Sequence, residues 1–312
     1  MKIMTANIEI QKRSLWTDIL KHRTYYLFLL PSIIYIFVFK YIPMYGLQIA
    51  FKDFNGALGI WGSKWVGLQH FANFIGGYYF WPVIRNTLEI AVYSTVIGFP
   101  FPIILALMLN EVGSHKYQKF MQTVLYAPHF ISTVVMAGII IIMLSPTAGI
   151  VNFAIENLGF EKQYFMIQPE AFKHIYVWSG VWQEMGWGAI IYLAALSAVN
   201  QELHEAATID GANRIQRIWH INLPTIKPTI VILLILSIGS IVNVGFEKAF
   251  LLQNDLNLQA SEVISTYVYR RGLISGNYSF ASAVGLFNSI INGILLIIVN
   301  LIARRVNETS LF

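Results

Sequence analysis

Glu205-Ala206-Ala207-Thr208-Ile209-Asp210-Gly211-Ala212-Asn213, continued by Arg214, Arg217 and Trp219 and closed by Ile221-Asn222-Leu223-Pro224, decides how this chain is read. It is the most polar long interval in the second half of a very apolar chain. Hydrophobic runs long enough to cross a bilayer flank it on both sides. Leu203, Ala206 and Ala207 fall at i, i+3 and i+4, which predicts one face of a short helix. Ile215, Ile218 and Trp219 repeat the spacing on a second helix, with Arg214, Arg217 and His220 turned away. Gly211 lies between them, where a bend or a close backbone approach is needed. Pro224 is expected to stop the second helix. By periodicity alone, this is an amphipathic loop lying on a membrane surface.

The spacing adds a second reading. Glu-Ala-Ala, three residues, Gly, nine residues, then Ile-x-Leu-Pro resembles the "EAA loop" of binding-protein-dependent ABC importer permeases. Glu205, Ala206, Ala207, Gly211, Ile221, Leu223 and Pro224 all stand at the matching positions, and Ile209-Asp210-Gly211-Ala212 is similar to the carbohydrate-uptake branch. The resemblance implies that Glu205, Ala206, Ala207, Asp210, Gly211, Ile221, Leu223 and Pro224 form a cytoplasmic coupling helix seated on an ATPase subunit. Glu205 is expected near the first turn, where a helix dipole favours negative charge. A side chain at Gly211 is expected to clash or to force another backbone angle.

Outward from this loop, composition sets the class. The 312 residues are 56% hydrophobic and 12% charged, about half the charge of a soluble domain. Six apolar runs are predicted to cross the membrane, at about 25–45, 83–109, 124–144, 175–199, 229–252 and 281–303. Pro100 and Pro102 predict a kink in the second. The chain has no cysteine, which excludes disulfides, CxxC zinc sites and thiol nucleophiles. No cleavable signal is read at the N-terminus. Residues 1–24 read as a basic cytoplasmic tail, in which Leu15, Trp16, Ile19 and Leu20 could form a short amphipathic helix.

The net charge of +5 is distributed as in a membrane protein and predicts no nucleic-acid partner. Placing the N-tail, the Lys116 loop, the Glu205 loop and the C-tail on one side puts twelve basic residues there against nine on the other. The inner set runs from Lys2, Lys12, Arg13, Lys21 and Arg23 through Lys116, Lys119, Arg214, Arg217 and Lys227 to Arg304 and Arg305. That sign predicts a multi-pass protein of the cytoplasmic membrane with both termini and the Glu205 loop in the cytoplasm.

No G-x-x-x-x-G-K-[ST] occurs, so ATP would be handled in trans. No His-Glu-x-x-His occurs either, and the seven histidines read as interfacial or loop residues. Polar groups inside apolar runs are costly in lipid and mark cavities or helix contacts. They are Asn86, Glu89 and Tyr93, then Gln183, Glu184 and Tyr192, then Asn243 and Glu247, then Asn288 and Asn292. Glu89 with Tyr93, Asn243 with Glu247 and Asn288 with Asn292 are i, i+4 and should each share a helix face. Interhelical hydrogen bonding is one reading of each pair. A saccharide pathway through Asn243, Glu247, Asn288, Asn292, Tyr93, Trp182 and Tyr192 is the other, with amides and a carboxylate for hydroxyls and aromatic faces for sugar rings.

The resemblance extends over nearly the whole chain. Trp65–Phe71, Trp178–Trp182, Tyr192–Leu196, Glu262–Tyr269 and Tyr278–Ala283 are similar to oligosaccharide permeases, most of all those importing alginate or rhamnogalacturonan fragments. It implies an all-α integral membrane protein with six transmembrane helices and a type I ABC importer permease fold. The tail (1–24), first helix and extracellular loop (25–82) and C-tail (306–312) would surround the core domain (83–305). A second, homologous permease, two ATPase subunits using ATP and Mg, and an extracellular solute-binding lipoprotein are the implied partners. No cofactor is expected in this chain. An ion-coupled secondary transporter is the alternative, although no half-to-half symmetry supports it. A membrane-embedded enzyme would need an acid or metal constellation that the sequence does not display.

Overall fold

The structure is a computed structural model describing residues 21–239 and 241–307, with side chains described through residue 302. The amphipathic helix expected at Leu15–Leu20 and the tail 308–312 lie outside these residues. Most of what is described is helical. Four helices are long and apolar enough to cross a membrane, or five if one bent pair counts as a single span.

Helix α1 spans Arg23–Phe51. Its first part, Arg23–Ile36, buries no residue against the rest of the chain. Its last turns pack on the C-terminal helix. A two-residue hairpin follows, β1 (Lys52–Asp53) antiparallel to β2 (Lys64–Trp65). Lys52 Nζ donates to the Ile60 carbonyl at 2.7 Å, and Ser279 Oγ accepts from Phe54 N at 2.9 Å, which ties the hairpin to the bundle. Helix α2 (Gln69–Ile75) drives Phe74 into a cluster with Phe80, Tyr267, Phe280 and Phe287.

Helix α3 runs Phe80–Asn110. The expected proline kink is a local interruption at Phe99, which keeps αR dihedrals and still donates to Thr95 O. The third apolar run departs from expectation. It is two helices, α4 (His115–Phe130) and α5 (Thr133–Met143), bent by 97°. Pro128 sits in a closing 3₁₀ turn, Ile131 is extended, and Ser132 caps α5 by accepting from Val135 N. Gln183 Nε2 donates to the Ile131 carbonyl at 2.9 Å, replacing the bond that the break removes.

Helix α6 (Ile150–Asn157) belongs to a loop pinned by buried Asn152, whose amide donates to the carbonyls of Leu144, Ser145 and Gln163. Helix α7 (Pro169–Ser197) is the fourth run, 29 residues long, but it is not among the helices apolar enough to cross. It packs against α3, α4 and the following span and so occupies the centre of the bundle.

Helix α8 (Gln201–Ile209) precedes α9 (Arg214–Gly239). The fifth run was expected to cross over 229–252. The crossing helix instead begins at Arg214, inside the polar stretch, and breaks before α10 (Phe246–Leu252). Pro224 does not stop it. A π turn over Ile218–Asn222 lets Leu223 N bond Ile218 O. Widening the turn by one residue accommodates a proline that offers no N–H and would press on the carbonyl four residues back. The same device precedes Pro43, where a π turn over Phe37–Tyr41 lets Ile42 N bond Phe37 O. Helix α11 (Ile264–Tyr269) and α12 (Tyr278–Asn307) complete the bundle.

Candidate functional site

The polar stretch folds as a helix, a tight reversal and a second helix. Asn200 caps α8 by accepting from Glu202 N at 2.9 Å. Glu202 therefore occupies the first turn, and Glu205 lies one turn further along, exposed, which corrects its expected placement. At the other end Ala212 N bonds Ala207 O at 2.8 Å and Gly211 N bonds Thr208 O at 3.1 Å. This paired closure is a Schellman motif, and it places Gly211 at φ +78°. A Cβ built on Gly211 meets nothing within 4 Å. The expected clash is thus absent within this chain, and only the backbone angle favours glycine.

Asn213 then starts α9 with a capping box: Asn213 Oδ1 accepts from Gln216 N and Gln216 Oε1 from Asn213 N, at 2.9 and 2.8 Å. Arg217 reaches back across the reversal and donates to Thr208 Oγ1 at 3.1 Å, bracing α8 against α9. Ala207, Asp210, Gly211, Arg217 and Ile221 share a hollow of about 300 Å³. On the outside of this braced turn, Leu203, Ile209, Ile215 and Trp219 are 51%, 87%, 67% and 62% exposed. Four large apolar side chains are thus left exposed on a turn capped on both sides of Gly211. Leu223 is half-buried and Pro224 exposed where the turn meets the bundle.

Two contributors escaped the sequence reading. Arg217 bridges two helices, which periodicity cannot show. Asn222, the x of Ile-x-Leu-Pro, is fully buried, and its Nδ2 approaches Glu111 Oε1 at 3.4 Å, tying the stretch to the end of α3. A lone amide between Ile221 and Leu223 is the signal that would have found it.

The expected pathway residues separate into groups. Asn243 Oδ1 accepts from Asn288 Nδ2 and Asn292 Nδ2 at 3.1 and 3.0 Å, and Asn292 Oδ1 accepts from Val242 N at 3.3 Å. Asn288 and Asn292 share a face of α12 as expected. Asn243 and Glu247 do not share one, because Asn243 stands in the break before α10 and Glu247 in the first turn of α10. The three asparagines hold that break against α12. Asn292→Leu is expected to lose two of these bonds and about 1–2 kcal/mol of stability, read as a lower thermal midpoint of the purified protein. An unchanged midpoint would show the network to be dispensable.

Tyr93 is elsewhere. Its hydroxyl meets His174 Nδ1 at 2.9 Å and accepts from Trp178 Nε1 at 3.1 Å. One turn away Glu89 binds Arg85 Nε at 2.6 Å and also Lys173. Trp182 lines a separate apolar cleft with Met136 and Ile139. Tyr192 is buried beside a cavity of about 640 Å³ between α3, α7, α9 and α10. Glu184 on its wall binds His129 Nδ1 at 2.9 Å, and His129 stacks on Trp187 with centroids 4.4 Å apart. His129 and His174 are thus bundle contacts rather than loop residues. Outside the spans, burial pushes the Glu262 carboxyl above its ordinary range, opposed by the guanidinium groups of Arg270 and Arg271. Glu262 Oε1 pairs with Arg270 at 3.2 Å.

Comparison with known proteins adds to this geometry. The family model described as binding-protein-dependent transport system inner membrane component matches residues 98–308. Protein LplB of Bacillus subtilis (strain 168) is 43% identical over 298 residues, covering 95% of this chain and 94% of its own. The polygalacturonan/rhamnogalacturonan transport system permease protein YteP of the same organism is 41% identical over 302 residues, covering 97% and 94%. Among solved structures, a chain of a bacterial ABC transporter involved in the import of the acidic polysaccharide alginate superposes with a TM-score of 0.87 at 43% identity, over 94% of this chain and 99% of that one. The alginate transporter in complex with an alginate pentasaccharide-bound periplasmic protein gives 0.88 at 42%, over 95% and 99%.

Proposed function

The chain belongs to the family of binding-protein-dependent transport system inner membrane components, and from that premise we propose that it is a permease subunit of an ATP-driven importer of oligosaccharides or polysaccharide fragments. The saccharide reading is supported by relatives whose names specify polygalacturonan, rhamnogalacturonan and alginate transport. Its partners in this reading are a second permease, two ATPase subunits and an extracellular solute-binding protein. The bent pair α4–α5 and the long α7 complete six crossings with the four apolar spans. Both termini and the α8–α9 turn face the cytoplasm.

The observation that carries the reading is the α8–α9 turn. It is capped on both sides of Gly211, braced by Arg217, and displays four exposed apolar side chains on an otherwise polar segment. A force-transmitting contact needs such rigidity, because a slack loop would absorb the ATPase's motion instead of passing it to α9. Glu205, Ala206, Ala207, Asp210 and Gly211 form the seat, and Ile221, Leu223 and Pro224 join it to the spanning part of α9. The saccharide path runs past the exposed edge of Asn243 and the cavity beside Tyr192. Asn288 and Asn292 support Asn243 along it and Glu247 stands beside it at the start of α10, whereas Tyr93 and Trp182 lie apart from it.

Co-expression with its ATPase subunit and affinity purification test the reading. The ATPase is expected to co-purify, and ATP hydrolysis to appear only in fractions containing it. Robust hydrolysis by this chain alone, or an ATPase that never associates, would refute it.

A further inference from the structure

Asn222 closes the π turn of α9 and is completely buried. Its Nδ2 donates to Glu111 Oε1 at 3.4 Å, and its Oδ1 has no hydrogen-bond partner among the described residues. An orphaned buried oxygen costs more than an apolar replacement would, and leucine fills much the same space. Stability therefore does not account for an amide here. Glu111 is as oddly placed. Its N–H bonds Met108 O at 3.3 Å in the closing turn of α3, so its carboxylate stands at the negative end of that helix dipole. It takes part in none of the ion pairs found among the described residues. Two groups that are unfavourable on their own elements meet at one contact, and such local conflicts concentrate where function requires them.

The contact joins two levers. On one side α9 is a single helix from Arg214 to Gly239, and its capping box fixes its start to the α8–α9 turn. A displacement of the turn therefore moves Asn222. On the other side α3 lines the cavity of about 640 Å³ with Ser94, Gly98 and Pro102. At its outer end Asn86 Nδ2 donates to the carbonyls of Gln259 and Glu262 at 2.8 and 3.2 Å. Helix α3 thus reaches from Asn222 past the cavity to the outer loop. The apolar cluster that holds Ala106 of α3 and Ile226 of α9 is non-directional and lets the two helices slide. A hydrogen bond is directional and fixes where along one helix the other stands.

We propose that Asn222 is a positioning residue of the transport cycle, passing the displacement of the α8–α9 turn to α3 through Glu111. The proposal rests on the ATPase-coupling reading of that turn and deepens it by adding a second helix to the route. Without the bond, the turn drives α9 alone, and α3 slips against it. With the bond, both walls of the cavity move together, which is what a concerted change of access requires.

The test uses the complete purified transporter with pairs of spin labels on introduced cysteines, since this chain contains no other thiol. Met108→Cys on α3 or Ile232→Cys on α9 is paired with Ile142→Cys on α5, all at exposed positions. With otherwise unaltered sequence, both distances are expected to shift by about 1–2 Å when ATP and vanadate are added. Asn222→Leu and Glu111→Leu should abolish the α3 shift and keep the α9 shift, which shows in the same preparation that the variant is assembled and responding. The double variant should match the single ones. Glu111→Gln retains an acceptor and should keep both shifts. An α3 shift that survives Asn222→Leu overturns the proposal. So does an α3 shift lost equally in Glu111→Gln, or the loss of both shifts in both leucine variants. If neither distance responds to ATP before any change at Asn222 or Glu111, the ATPase-coupling reading itself fails and the proposal falls with it.

Discussion

Cells carrying Gly211→Asp are expected to lose saccharide uptake to background while the permease stays folded in the membrane. The backbone at residue 211 has φ +78°, a region where aspartate is one of the better-tolerated non-glycine residues. A Cβ there meets no atom of this chain within 4 Å. The cost to the isolated permease is therefore about 1 kcal/mol, from the backbone angle alone. Any larger effect must come from outside the chain. Gly211 lines a hollow with Ala207 and Asp210, beside Ile209, which is 87% exposed. A carboxylate placed there would be buried by a docked ATPase without a partner, which is severely unfavourable. ATPase co-purification should fall at least about tenfold, or hydrolysis should continue without uptake. Gly211→Asn supplies the same shape without the charge and should retain much of both. Wild-type ATPase retention and wild-type uptake in Gly211→Asp would show that the turn is a surface connection lying on the membrane.

Gly186→Val is expected to prevent accumulation of the folded permease. Gly186 lies in α7 where α4 crosses it just before the 97° bend. A Cβ on Gly186 would run into the carbonyl of Leu125 and come within 3.2 Å of Tyr126 N. Both obstacles are backbone, which cannot rotate aside as a long side chain does. Small residues let membrane helices approach this closely, and overfilling such a contact costs about 3 kcal/mol or more when the neighbour cannot yield. The measurement is permease content of the membrane fraction together with the thermal midpoint of whatever is recovered. Gly138→Ala in α5 is the control, because a Cβ there meets nothing within 4 Å. Normal yield and midpoint in Gly186→Val would mean that α4 and α7 can separate without penalty.

The Glu205–Pro224 stretch shows where sequence was enough. Helix faces, caps and a glycine turn are local. Asn200, Asn213 and Gln216 satisfy backbone groups within a few residues of themselves, and Gly211 supplies a dihedral that its neighbours cannot change. The apolar runs were legible for a related reason, since the exclusion of charge over about 20 residues depends on composition alone. The seven-position spacing was legible because the turn that carries it is built from short-range bonds.

Direction and partnership were not legible. The run 124–144 is apolar throughout, yet it turns by 97° because Gln183, some 50 residues away, satisfies the carbonyl that the bend exposes. The run 229–252 reads as continuous, but it breaks around Asn243 because Asn288 and Asn292 on α12 hold that residue out of the helix. Pro224 reads as a stop and is passed, because the preceding π turn absorbs it in a helix that continues into the bundle. Sequence by itself determined which segments are apolar, where the polar turn lies and how its ends are capped, because those properties follow from a residue and its near neighbours. The tertiary structure alone decided where the apolar runs bend, which asparagines meet, and that Glu184 meets His129, because each depends on atoms that distant segments bring within a few ångströms.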